Sequence, residues 1–202
     1  IMLPRTVLRI RASLSLENTH ILDRIYYFKV TDSNLFNEKF VLGILNSKLI
    51  SFYYNHLYGS TKIGGGYFDL KGVQIKKLPI PRTNKEQSDS IERLVEAMIE
   101  KTSILEMNSS RFKKLLINEF SLDSLSAKLN KWWVLDFTDF VSVLKVKLSL
   151  SQKDELLQLF DKYRAECIQI DSQIKQTDQD IDQLVYKLYD LSAEDINLIE
   201  TR

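Results

Sequence analysis

From Leu156 onward, apolar residues recur in alternating steps of four and three. The series is Leu156, Phe160, Tyr163, Cys167, Ile170, Ile174, Thr177, Ile181, Leu184 and Leu188, and only Thr177 interrupts it. Sustained over more than four heptads, that period predicts a long helix packed along another helix. A weaker series with the same steps runs through Ile91, Val95, Met98, Thr102, Leu105, Ser109, Phe112 and Leu116. At 1.5 Å rise per residue, each helix would span roughly 45–50 Å. Joined through residues 121–150, the two can fold back as an antiparallel pair. The joining segment carries Trp132, Trp133, Leu135, Phe137, Phe140, Val143 and Leu144. It is too apolar for a bare linker, so it is expected to pack on the end of the pair or on the preceding domain. Near the end, Ser192 is placed as the N-cap of a last short helix, with Asp195 completing a capping box.

The first part of the chain is patterned differently. Val7-Leu8-Arg9-Ile10-Arg11 reads as a half-buried strand, with Arg9 and Arg11 on one face. Residues 22–30 are rich in aromatic and β-branched side chains and read as a second strand. Asp32-Ser33-Asn34 marks a turn and a helix start. Apolar spacing then predicts one helix over 35–57, ended by Gly59. Residues 59–66 form a glycine-rich loop. Tyr67–Leu70 and Val73–Leu78 read as short strands, and Pro79-Ile80-Pro81 stops them. His56 falls on an apolar helix face and is expected to be buried and hydrogen-bonded.

Composition sharpens the division. All six glycines and all three prolines lie within the first 81 residues. Residues 1–82 carry 12 Lys/Arg against 5 Asp/Glu, whereas residues 83–202 carry 16 against 22. The net charge of +1 over 202 residues therefore hides a basic first part and an acidic second part. These differences place a boundary near residue 82. The basic part is suited either to a polyanionic partner or simply to solvation. With one cysteine, Cys167, and two histidines, His20 and His56, there is neither an intrachain disulfide nor a recognisable metal cluster. The single cysteine, placed in the seam, is expected to behave as a small hydrophobe in a reducing cytoplasm. The longest uncharged run has 13 residues, too few for a membrane helix. The sequence starts at Ile1 rather than Met, which suggests a fragment of a longer chain.

Candidate chemistry is narrow. Gly59 and Gly64 supply the outer frame of a phosphate loop, but Gly65-Gly66 follow where Lys and Ser/Thr would be needed. No dinucleotide fingerprint, no Asn/Asp-Pro-Pro-aromatic loop of an amino-methyltransferase and no Pro-Asp…Glu-x-Lys nuclease site occurs. No catalytic apparatus is legible, and no catalytic or metal-binding residue is assigned. The basic residues and the donors of the loop remain: Arg9, Arg11, Ser60, Thr61, Lys62, Lys71 and Lys76. Arginine suits guanine and lysine suits phosphate. A basic residue is more often a solvated surface charge than a contact, and the alternative for the glycines is that they only turn the chain.

Residues 42–54, Leu-Gly-Ile-Leu-Asn-Ser-Lys-Leu-Ile-Ser-Phe-Tyr-Tyr, followed by Gly64-Gly65-Gly66-Tyr67-Phe68 and Leu78-Pro79-Ile80-Pro81, form an ordered set. It resembles the TaqI-like C-terminal specificity domain of type IIG restriction-modification enzymes and, more distantly, one half of a type I specificity subunit. The ending, Ile181 to Leu191, is similar to the C-terminus of the same group. The resemblance implies an α+β fold: a small mixed-sheet target recognition domain over residues 1–82, then a long antiparallel helical pair over 83–202 acting as spacer and docking element. It implies sequence-specific recognition of double-stranded DNA on behalf of an adenine methyltransferase, often with a nuclease, in a bacterial or archaeal cytoplasm. S-adenosylmethionine, with magnesium left open, would belong to the catalytic part of the parent protein and not to these residues. A rival reading is a helical protein-interaction scaffold whose basic face is incidental.

Overall fold

A computed structural model describes residues 1–15, 24–31 and 36–201. The expected turn at Asp32-Ser33-Asn34, the start of the strand expected over 22–30, and His20 lie outside them. The architecture is α+β. Among the described residues, four short strands form two separate antiparallel pairs, β1 (Met2–Pro4) with β3 (Ile25–Tyr27) and β2 (Thr6–Val7) with β4 (Phe68–Asp69). No mixed sheet forms among the described residues. The helices are α1 (Glu38–Asn46), α2 (Lys48–Tyr58), α3 (Gly72–Ile75), α4 (Lys85–Glu119), α5 (Phe137–Leu144), α6 (Leu150–Leu188) and α7 (Ala193–Glu200).

Backbone compactness divides the chain into two units. The first joins Ile1–Ala97 to Thr177–Arg202, and the second is Met98–Gln176. This division differs from the compositional boundary at residue 82, because the start of α4 and the end of α6 belong with the strands.

In the first unit, several expected elements are shorter or of another type. Residues 8–11 are not a strand: β4 offers Val7 its last partner at Phe68, after which the chain turns away through Gly65 and Gly66, both at positive φ. Among the described residues of the second expected strand, Ile25–Tyr27 form β3. Residues 73–78 are no strand either. Residues 72–75 form the short helix α3, with Ile75 half-buried and Val73 68% exposed, and Leu78, in the turn beyond it, is buried.

The single helix expected over 35–57 is two helices. Ser47 is extended (φ −63°, ψ 153°), and its N–H closes α1 on the Ile44 carbonyl at 3.2 Å. Its Oγ donates to the same carbonyl at 2.7 Å and accepts from Ile50 N at 3.3 Å, so one buried serine ends α1 and caps α2. Helix α1 is buried along most of its length and touches α4 at Gly43. A Cβ there would lie 2.7 Å from Ile91 Cγ2 and 3.0 Å from Val95 Cγ2. Gly59 ends α2 as expected. His56 is exposed, not buried, and stacks on Phe52.

In the second unit, α4 and α6 run antiparallel. Asn108 faces Glu166 and Phe112 faces Tyr163, so numbering rises on one helix as it falls on the other. Every predicted seam position of both helices is buried or half-buried. The connecting segment packs on this pair: Trp132 lies 4.2 Å from Phe112 and 5.7 Å from Phe160, ring centre to ring centre, beside Phe140. Its indole N–H donates to Ser109 Oγ at 3.2 Å. Arg164 Nε fastens the segment by donating to the carbonyls of Trp133 and Leu135. With no glycine available, Ser121, Lys145 and Asp190 take the left-handed conformation at or just beyond the ends of α4, α5 and α6. Ser192 and Asp195 form the expected capping box of α7.

Candidate functional site

The first unit holds the basic candidates, and three consecutive residues explain how their segment is held. Asn46 closes α1 and clamps the backbone of Ala12: its Oδ1 accepts from Ala12 N at 2.7 Å and its Nδ2 donates to Ala12 O at 3.0 Å. Ser47 separates the helices. Lys48 opens α2, its N–H donating to Asp182 Oδ1 at 2.8 Å, while its ammonium binds Glu200. Next to Ala12, Ser13 exchanges both backbone hydrogen bonds with Met2, and Ile10 is buried. The chain from Val7 to Ser13 is thus fixed at both ends and in the middle without forming a strand.

This anchoring turns Leu8, Arg9 and Arg11 outward. Together with Val7 and Tyr67 they line an open groove of about 750 Å³. Neither arginine is engaged in an ion pair among the described residues. Arg5 differs: its guanidinium meets Asp69 through two bonds, 2.7 and 3.2 Å, and holds that carboxyl below the usual range.

The glycine-rich loop lies beside the groove. Ile63 N donates to Tyr67 O at 2.8 Å, and Gly65 and Gly66 make the reversal with φ of 77° and 78°. Only glycine adopts that geometry in succession without strain. Lys62 Nζ rests 4.7 Å from the centre of the Phe68 ring, and Phe68 pairs with Val7 in the sheet. Phe68 in turn meets Tyr54 of α2 edge-on at 5.1 Å. Burial pushes the Tyr54 phenol up to about 12, and it donates to Gln74 at 2.6 Å.

The sequence candidates therefore separate. Arg9 and Arg11 share the groove, and Lys62 stands on the strand pair beside it. Ser60 is exposed; Thr61 is exposed too, but its hydroxyl donates to the Tyr58 carbonyl at the end of α2. Lys71 is exposed where β4 gives way to α3 and acts on Asp69 through its charge. Lys76 lines a different hollow with Tyr26, Tyr27 and Phe28. Sequence reasoning missed Leu8 and Tyr67 as groove residues. The alternation it used sets Leu8 and Ile10 on the buried face opposite Arg9 and Arg11, whereas the observed pattern buries Val7 and Ile10, three apart.

Among the described residues, no group of three or more His, Cys, Asp or Glu is placed to hold a metal ion. No described helix is long and apolar enough to cross a membrane. Residues 1–80 match the TaqI-like C-terminal specificity domain, and residues 83–185 match the family described as Domain of unknown function (DUF8810). No curated protein and no solved structure matches the chain.

Proposed function

Since the chain belongs to the DUF8810 family over more than half its length and carries a TaqI-like specificity domain before that, we propose that it selects DNA sequences for a restriction-modification enzyme. The observation that supports this most is the groove: two arginines in no ion pair among the described residues, beside an exposed tyrosine and leucine. In the major groove of DNA each base pair shows a distinct set of donors and acceptors, and a guanidinium can bond guanine O6 and N7 together. Arg9 and Arg11 are assigned that role. Ser60, Thr61, Lys62, Lys71 and Lys76 are assigned phosphate contacts that set register and make affinity salt-dependent. Methylation, with its S-adenosylmethionine, and any cleavage with magnesium are assigned to a catalytic domain of the parent protein.

The test is a titration of the chain against a randomised duplex pool at low and moderate salt. The expected result is enrichment of one short motif that persists at the higher salt. Binding without a motif that disappears with salt would reduce the claim to a basic surface. No binding at either salt, for this chain and for its parent, would favour a protein-interaction scaffold.

A further inference from the structure

We propose that Leu8 is a specificity-determining residue that reads the 5-methyl group of a thymine; this rests on the DNA-binding reading above. Leu8 is 60% exposed although the buried residues that bracket Leu8-Arg9 in the anchored segment are fixed, Val7 by pairing with Phe68 and Ile10 by burial. Its exposure is therefore set by the backbone that Asn46, Met2 and Phe68 hold. The side chain lines the same groove as Arg9 and Arg11, so an apolar branched group is presented alongside two guanidinium forks. A phosphate-binding surface has no use for such a group. The major groove edge of DNA offers one apolar feature, the thymine methyl, which stands beside the acceptors that arginine recognises on a neighbouring guanine. Leucine matches that methyl by contact and by exclusion of water, and it offers no donor or acceptor to any other base edge.

The experiment titrates the chain against the duplex selected from the pool, and against copies in which each thymine in turn is replaced by deoxyuridine. Leu8→Ala is measured in parallel. Val73→Ala, which trims another exposed aliphatic residue on α3, serves as control. The expected result is a loss of about fourfold at one thymine position, the worth of one buried methyl group. That loss should persist in Val73→Ala and vanish in Leu8→Ala, with the rest of the motif still recognised. A motif without thymine, a motif indifferent to every deoxyuridine, or a penalty that Leu8→Ala retains would overturn the role of Leu8 and leave the DNA-binding reading standing. Failure to enrich any motif would overturn both.

Discussion

The N–H of Lys48 and the carboxylate of Asp182, 134 residues apart in the chain, meet at 2.8 Å. The bond satisfies the first free donor of α2, and Ser47 satisfies another two residues later. Asp182 is buried, and burial pushes its pKa up from the ordinary carboxylate value to about 6, against the pull of the Lys48 amide and ammonium. Glu200 behaves oppositely. Its bond from Lys48 and, more weakly, the Tyr186 hydroxyl hold it below its usual range.

A raised carboxyl pKa means that the folded state binds protons more readily than the unfolded one. Asp182 therefore contributes stability that is full below about pH 4 and is lost as pH rises to about 6. Asp178 and Glu200 add to this effect, and Lys48 opposes it. Asp182→Asn retains an oxygen for the Lys48 N–H and removes the titration. Urea midpoints measured from pH 4 to 7 should fall more steeply in the native chain than in the variant. Equal slopes would show that Asp182 does not titrate in this window. Asp182→Ala should cost about 1–2 kcal/mol near pH 4, as a lost helix cap does, and less as pH rises to about 6.

Gly43→Ala should destabilise the first unit by about 1–3 kcal/mol, the usual range for overpacking. The added methyl has Ile91 Cγ2 at 2.7 Å and Val95 Cγ2 at 3.0 Å, and both belong to β-branched side chains with little rotamer freedom. Denaturant unfolding followed by circular dichroism would measure the shift. An unchanged midpoint would mean that α1 and α4 can move apart freely.

Ser109→Ala is expected to cost more than its size suggests. It removes the acceptor of the Trp132 indole N–H, 3.2 Å away, at a fully buried position. A stranded buried donor costs about 1–3 kcal/mol. Adding Trp132→Phe should recover part of that loss, because the donor is then gone. A double-mutant cycle on thermal unfolding would expose the coupling, and strict additivity would refute it.

Cys167 should resist thiol reagents in the native state. It is fully buried, and burial pushes its thiol up to about 11. Labelling at pH 8 is expected to follow unfolding, accelerating with urea in step with loss of helical signal. Rapid labelling without denaturant would contradict the packing of the helical pair at this position.

Lys62→Ala should weaken binding to all DNA sequences alike and flatten the salt slope by about one unit if the ammonium meets a phosphate. A loss confined to one base position would instead assign Lys62 to base reading. Affinity measured at three salt concentrations on selected and scrambled duplexes separates the two. The ammonium is already poised above Phe68, so its reach toward DNA begins from a fixed ring.

The long helices were legible because their signal repeats. Ten positions of one seam and eight of the other carry the same period, and single exceptions such as Thr177 and Ser109 do not erase it. The break at Ser47 was not legible. A serine flanked by helical spacing on both sides suits a helix interior as well as a cap, and what decides between them is its bond geometry. Asp182 illustrates the same limit at longer range. On an acidic helix its carboxylate reads as solvated, and only the approach of α2 from a distant part of the chain makes it a buried cap. Arg9 and Arg11 were picked out by residue type, and their alignment by strand alternation. The structure places both in one groove by another route, through the clamp of Asn46 on Ala12. Lys76 carried the same charge signal but lies in a different hollow, because charge alone does not encode direction.

The first unit is built from two stretches of chain separated by the 79 residues of the second. Synthesis runs from one end, at about 5–20 residues per second. Residues 1–97 therefore leave the ribosome and wait roughly 5–21 s before the segment that contains Asp182, Tyr186 and Glu200 has been made. Over that interval the first turn of α2 lacks its acceptor and Lys48 lacks both of its carboxylates. The second unit, contiguous in sequence, has no such delay. Nascent chains of this protein should then complete their helical middle first and close the first unit last, and for that interval a half-finished α1 surface is what a chaperone would meet.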